Sequence, residues 1–436
     1  MSHAKLLAFS DLHLSEKFGL AGGNRRVQTD DTTHKKTRRR SLLEGARFLK
    51  HLAARAREEQ PDAILFGGDL FDRANPTPNE EVVAMRGVLE LADIAPVYLL
   101  LGNHTQTLGD SEHALGIFRE LGDPRIRVID RPECVDIAGD IALFCLPYPP
   151  TGKIVEDGDQ ARGWSSELRN GLTSDALGRI VERYVETIRH KNFQPMGFKR
   201  TPILFAHGTF AGCNYNDERV VPLSDVQIPT DLLHEFDAVV AGHLHKRQRI
   251  PGNDAGYYVG ACDRWQFDHS TNPAGFAWIE AGEGVVEWRF EDYAQSRHFC
   301  TIDPYPFEIW AYDTLGEDYA DTIDYDPTAH FDTGEMLDLD RCFVRVKGST
   351  RELEYLDSLE SLAARVVDKT NLGGLTLEVD VERDDRSLDA VEPGGGVRAI
   401  FDAYNDSRPN AIPADVREDV FDEVAEITAT LNRNGQ

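Results

Sequence analysis

Short apolar runs recur along the first two thirds of the chain. Lys5–Phe9, Ala63–Phe66, Val97–Leu101, Pro202–Ala206 and Phe236–Ala241 are each four to six residues long. They are too short for helices and continuous enough for strands buried on both faces. Between them the apolar spacing changes to three and four. Leu42, Leu43, Ala46, Phe48, Leu49, Leu52 and Ala53 form one helical face, which Ser41 and Glu44 would open as a capping box. Glu80–Leu91, Ser111–Leu121 and Ala176–Lys191 read as further helices. Residues 19–40 are Gly-rich, polar and basic with no apolar period, so they read as a loop, as do 150–170. Arg125–Ile129 and Ile141–Leu146 read as strands, and 257–260, 275–280 and 285–290 as strands of a second, antiparallel sheet.

Strands alternating with helices, then strand-only stretches, predict an α/β chain built as an α+β sandwich, with two packed mixed β-sheets flanked by helices. The character changes around Arg297–Pro306, which sets a first domain at residues 1–302. A strand (Cys342–Val346), a helix (Leu353–Val367) and a strand (Leu375–Val381) then predict a smaller α+β domain over 303–395. Helices near 397–404 and 414–431 make a C-terminal helical segment, 396–436. Its apolar stripe from Val416 to Leu431 suits packing on the preceding domain or docking on a partner.

A chain of 436 residues with 41% hydrophobic content holds a large core. No run approaches the ~20 apolar residues of a membrane span, and the N-terminus lacks a signal-peptide layout. The six cysteines are dispersed, with no Cys-x-x-Cys, which points to free thiols in a reducing cytoplasm. The net charge of −28 is uneven: residues 301–436 hold 32 Asp and Glu against 12 Lys and Arg. Asn24–Arg40, by contrast, carries seven Lys and Arg against two Asp. An acidic C-terminal region therefore follows a nearly balanced body that has one basic stretch.

Five apolar runs end alike, in Asp11-x-His13, Gly68-Asp69, Gly102-Asn103-His104, His207 and Gly242-His243-x-His245. Each motif alone has a bland reading: a turn, a surface pair or a core histidine. Together, if the parent strands are parallel, they converge on one edge of the sheet. The donors are carboxylate, carboxamide and imidazole without sulfur, which suits Mn, Fe, Co or Zn. Two carboxylates, one carboxamide and four imidazoles are too many for one ion and enough for two sharing a carboxylate. Two ions ~3.5–4 Å apart suit in-line displacement at phosphorus.

The order Asp-x-His, Gly-Asp, Gly-Asn-His, His, Gly-His-x-His resembles the calcineurin-like metallophosphoesterases. Within them, Asp11-Leu12-His13-Leu14, Gly67-Gly68-Asp69-Leu70-Phe71-Asp72 and Gly242-His243-Leu244-His245 resemble the DNA-repair nuclease branch, the SbcD-type exonuclease subunits. The resemblance implies the family's four-layer fold with a capping domain over 303–395. It implies Asp11, His13, Asp69 and His245 as ligands of one metal, and Asp69, Asn103, His207 and His243 as ligands of the other, with manganese the first candidate. It also implies His104 as a non-ligand catalytic residue near the leaving oxygen, DNA as substrate, an SbcC-type, SMC-like ATPase subunit as partner, and a homodimer. Thr105 stands where the family usually has Asp. With Ala74 it argues against the protein Ser/Thr phosphatase branch, which carries Glu and Gly at these places.

Arg25, Arg26, Lys35, Lys36, Arg38, Arg39 and Arg40 follow the first motif closely and are the expected nucleic-acid contacts, the other reading being a solvated loop with excess charge. No Gly-x-x-x-x-Gly-Lys-Ser/Thr occurs, so an ATPase would be a separate chain. Two other functions fit the same motifs: a small-molecule phosphodiesterase or phosphatase, and a non-catalytic scaffold with a vestigial site.

Overall fold

A computed structural model describes residues 3–16, 31–105, 113–137, 140–149, 166–190, 200–215, 221–222, 225–267, 270–316, 342–351, 353–370, 372 and 374–381. The first sheet takes four parallel strands in order, β1 (Ala4–Phe9), β2 (Ala63–Phe66), β3 (Val97–Leu100) and β4 (Ile126–Ile129). On the far side of β1 it adds antiparallel β11 (Gly275–Gly282) and then β12 (Val285–Asp292). The second sheet runs β5 (Glu133–Ile137), β6 (Ile141–Leu146), β7 (Thr201–His207), β8 (Ala238–Gly242), β10 (Gly256–Tyr258) and β9 (Gln248–Arg249). Its four central strands, β6, β7, β8 and β10, are parallel.

Alternation along the strands explains the layers. In β1, Leu7 and Phe9 face Phe48, Leu49 and Leu52 of α1 (Asp31–Glu59) and Ala84, Val88 and Leu91 of α2 (Pro78–Ala92). Leu6 and Ala8 point the other way, into a core shared with Leu143, Ile203, Phe205 and Val240 of the second sheet. On the outer face of that sheet, Phe144, Leu204 and Val239 pack on Leu177, Val181 and Val185 of α4 (Ser166–Arg189). Helix, sheet, sheet and helix are thus stacked around three apolar seams, and both faces of each central strand are buried.

Four local expectations are corrected. Helix α1 starts at Asp31, not Ser41, so 31–40 is helix rather than loop. Lys and Arg are good helix formers, and an apolar period is not required once the turn is nucleated by the packed half of the helix. The capping box belongs instead to α2, where Thr77 Oγ1 accepts from the Glu80 N–H and the Glu80 carboxylate accepts from the Thr77 N–H. Likewise α4 begins at Ser166, inside the stretch read as loop, and only Gly116–Glu120 (α3) is helical within 113–121.

Residues 257–260, 275–280 and 285–290 do not form a sheet of their own. β10 joins β8 in parallel, while β11 and β12 extend the first sheet. A period of two marks a strand but not its partner, and the thirteen residues between β8 and β10 are long enough for a parallel crossover.

Beyond β12, β13 (His298–Ile302) pairs in parallel with β14 (Cys342–Thr350), and β15 (Gly374–Val381) lies on the other side of β14. Helix α5 (Pro304–Leu315) has no counterpart among the expected elements; it opens with Pro304 and stops at Gly316, which is left-handed at φ 70°. Helix α6 (Leu353–Lys369) follows β14. By contacts the chain divides into one unit of Met1–Lys347 with Leu359–Glu378, and another of Gly348–Ser358 with Val379–Gln436. The expected helices near 397–404 and 414–431 lie outside the described residues. Among the described residues, no helix is long and apolar enough to cross a membrane.

Candidate metal centre

The five motifs meet, though not on one sheet edge as expected. β1, β2 and β3 of the first sheet and β7 and β8 of the second present their carboxyl ends side by side across the sandwich. Backbone bonds knit the loops: Asp11 N–H donates to Gly68 O at 3.0 Å, His13 N–H to Asp69 O at 2.9 Å, and Gly208 N–H to Gly242 O at 3.4 Å. The chain turns sharply at the chemistry itself. Asp11 (φ 55°), His13 (45°), Asp69 (55°) and His243 (100°) are all left-handed. Side-chain-bearing residues rarely hold this conformation without compensation from their surroundings.

Two clusters result. In one, Asp11, His13 and His245 bring ligand-type atoms together. His13 Nε2 is 2.9 Å from His245 Nε2, and Asp11 Oδ1 is 4.0 and 3.9 Å from those two nitrogens. In the other, Asp69, His207 and His243 converge. His207 Nε2 is 3.3 Å from Asp69 Oδ2 and 3.0 Å from Asn103 Oδ1. His243 Nδ1 is 2.9 Å from Asn103 Oδ1.

Main-chain groups orient these side chains. The His104 N–H donates to Asp69 Oδ1 at 2.9 Å, and the His243 N–H reaches both Asp11 carboxylate oxygens at 3.1 and 3.2 Å. His207 Nδ1 donates to Gly67 O at 2.6 Å, which leaves Nε2 turned toward Asp69 and Asn103. Gly102 is required because a Cβ there would overlap Asp69 Oδ1.

The electrostatics fit a cationic occupant. Asp11, His13, Asp69 and His207 are all buried. Burial, joined by the charge of Asp69, pushes the Asp11 carboxyl up despite His207 and His13. Burial would also raise Asp69, but the charge and hydrogen bond of His207 outweigh it and hold that carboxyl far below the usual range. Burial would lower His207, yet Asp69 pushes it up to about 9. Burial and the charge of His207 bring His243 down to about 3. His13 is raised, its burial outweighed by Asp72, Asp69 and Asp11. Buried carboxylates that draw protons onto neighbouring groups are short of positive charge, and oxygen and imidazole donors supply ligands for a divalent ion.

His104 is the most open of the set. Its Nδ1 donates to Asp72 O at 2.9 Å and lies 3.9 Å from Asp72 Oδ1. The Asp72 carboxylate also sits 3.5 Å from His13 Nδ1, and these three residues form a third cluster. Asp72 stands inside its motif in the sequence, where no chemistry was expected of it; its spacing of three from Asp69 was the available signal. Tyr148 was not expected at the site either, yet its ring lies 5.7 Å from that of His243 and 6.1 Å from that of His207. Thr105 is buried and its Oγ1 donates to Gly102 O at 3.3 Å, so it closes the loop. Of the expected nucleic-acid contacts, Arg25 and Arg26 lie outside the described residues. Lys35, Lys36, Arg38, Arg39 and Arg40 lie on the first turns of α1, and their side chains are outside them too.

The family model of the calcineurin-like phosphoesterases matches residues 4–247, which span every motif. The SbcD subunit of an SbcCD nuclease from Staphylococcus saprophyticus is 24% identical over 263 residues, covering 58% of this chain and 64% of that protein. The chain thus spans just under two thirds of that relative's length. Among solved structures, a dimetal phosphatase from Danio rerio aligns at 13% identity over 64% of this chain and 93% of its own, with a TM-score of 0.38. A purple acid phosphatase from yellow lupin seeds aligns at 15% identity over 67% and 53%, with a TM-score of 0.36.

Proposed function

The chain belongs to the calcineurin-like phosphoesterase family, and from that premise we propose that it is a two-metal deoxyribonuclease, the nuclease subunit of a break-repair or recombination complex. The observation that carries this reading is the pair of donor clusters at the facing strand ends, 4–247 being the family's own span. The relationship to an SbcCD nuclease favours DNA over a small diester. Asp11, His13, Asp69 and His245 would hold one ion, and Asp69, Asn103, His207 and His243 the other, with manganese the first candidate. Ions held there would acidify water and neutralise charge that develops on the phosphate.

The chain's own groups do the rest. The His104 and His243 N–H groups set the two carboxylates before substrate arrives. His104 spends Nδ1–H on Asp72 O, so Nε2 is the nitrogen that hands a proton to the leaving oxygen. The Asp72 carboxylate lies 3.9 Å from that Nδ1. Left-handed backbone at the ligands is strain held by the packed sandwich, which presets the donors.

Residues 1–302 would be the nuclease domain, 303–395 a cap that places DNA, and 396–436 the dock for an SbcC-type ATPase, in a homodimer working in the reducing cytoplasm. The test is digestion of end-labelled single- and double-stranded DNA in Mn²⁺, with a small diester alongside and chelator in a parallel arm. Metal-dependent DNA shortening supports the reading. Hydrolysis of the diester alone would assign a small-molecule phosphodiesterase, and no turnover with either substrate would make the site vestigial.

A further inference from the structure

β10 is a further parallel strand whose end reaches the metal centre, although none of the five motifs lies on it. After β10 the chain crosses above Ser10: Ala261 bridges to Ser10, and the Cys262 N–H donates to Ser10 O at 3.2 Å. Trp265 follows. Its indole N–H donates to the main-chain oxygen of Asp11 at 3.2 Å, and its ring stands edge-to-face with His13 at 6.0 Å. Asp11 and His13 are the left-handed pair on this loop, at φ 55° and 45°. The turn carries the Asp11 carbonyl away from the strand ladder, and Trp265 supplies it with a donor.

Trp265 is itself locked. The Arg297 guanidinium lies 3.9 Å from the indole centroid and is 1% exposed. Arg297 Nε donates to Asp263 Oδ2 at 2.8 Å, and the Arg297 N–H to Asp263 Oδ1 at 2.7 Å. Arg297 immediately precedes β13, the first strand of the third sheet. We propose that Trp265 is a positioning residue for the half-site of Asp11, His13 and His245, keyed through Arg297 to the start of the third sheet. This rests on reading those three residues as metal ligands.

The test is Trp265→Phe in the full chain, which keeps an aromatic face for Arg297 and removes the donor. Metal-stripped protein is titrated with Mn²⁺ and followed by calorimetry and tryptophan fluorescence. Wild type takes up two ions. The variant takes up one with wild-type affinity and the other about 10–100-fold more weakly, the range for losing a partner that orients a ligand; Mn²⁺-dependent quenching also shrinks. Two ions bound with unchanged affinity would overturn the role of Trp265. A wild-type chain that binds none overturns the proposed function instead. Should Trp265→Phe fail to fold by circular dichroism, Arg297→Lys carries the test: the same one-site weakening supports the lock, and unchanged binding removes it.

Discussion

Asp69 is held from two sides: its Oδ1 accepts the His104 N–H at 2.9 Å, and its Oδ2 lies 3.3 Å from His207 Nε2. The carboxylate therefore joins a motif of the first sheet to one of the second. Asp69→Asn removes the carboxylate of the second cluster, which is proposed to bridge both ions. Metal content, measured by elemental analysis after Mn²⁺ loading, should fall from two ions to one or none, and turnover should drop at least ~10³-fold. Retained two-ion loading would mean that Asp69 is not the bridge.

His104 is anchored through Nδ1, which donates to Asp72 O. His104→Gln should lower kcat by about 10²–10⁴ while metal content stays at the wild-type value. A parallel loss of metal would make His104 a structural support of Asp69, not a proton donor.

Arg55 of α1 holds Glu291 of β12 with two hydrogen bonds, Nε to Oε1 at 2.6 Å and Nη2 to Oε2 at 3.0 Å. Burial would raise Glu291, but Arg55 and the Trp278 N–H pull it below its ordinary value. A depressed carboxyl stabilises the fold above its unfolded pKa, near 4.5, and loses that contribution as pH falls through the lower folded value. Arg55→Met should therefore cost about 1 kcal/mol at pH 7 and little below that window. Urea melts across pH check this; an equal loss at every pH would place the cost in packing.

The basic half of α1 follows the Asp11–His13 loop in the chain. Charge reversal at Lys35, Lys36, Arg38, Arg39 and Arg40 should weaken DNA binding and flatten its dependence on salt, each lost phosphate contact reducing the slope by about 0.7–0.9. Fluorescence anisotropy across a KCl series measures both. An unchanged slope would assign this stretch to solvent.

Local pattern settled much of this protein. The apolar runs at Ala63–Phe66 and Val97–Leu100 are strands as read, because a short run buried on both faces has few other fates. The donors that close those runs are covalently tied to the strand ends, so identifying the strands placed Asp69, Asn103 and His104. Where the reading failed, the missing information was non-local. Strands do form at Gly256–Tyr258 and Gly275–Gly282, but only packing assigned them to different sheets, since a strand's period does not name its neighbour. The helical start at Asp31 has no apolar face to announce it. The involvement of Asp72, Tyr148 and Trp265 depends on how loops cross above the strand ends. Local pattern was enough to mark the Asp, Asn and His side chains that close these strands. Tertiary structure decided that two sheets, not one, bring them together, and that left-handed turns aim them inward. That second step rests on backbone bonds and burial between segments far apart in the chain, such as the Cys262 N–H on Ser10 O.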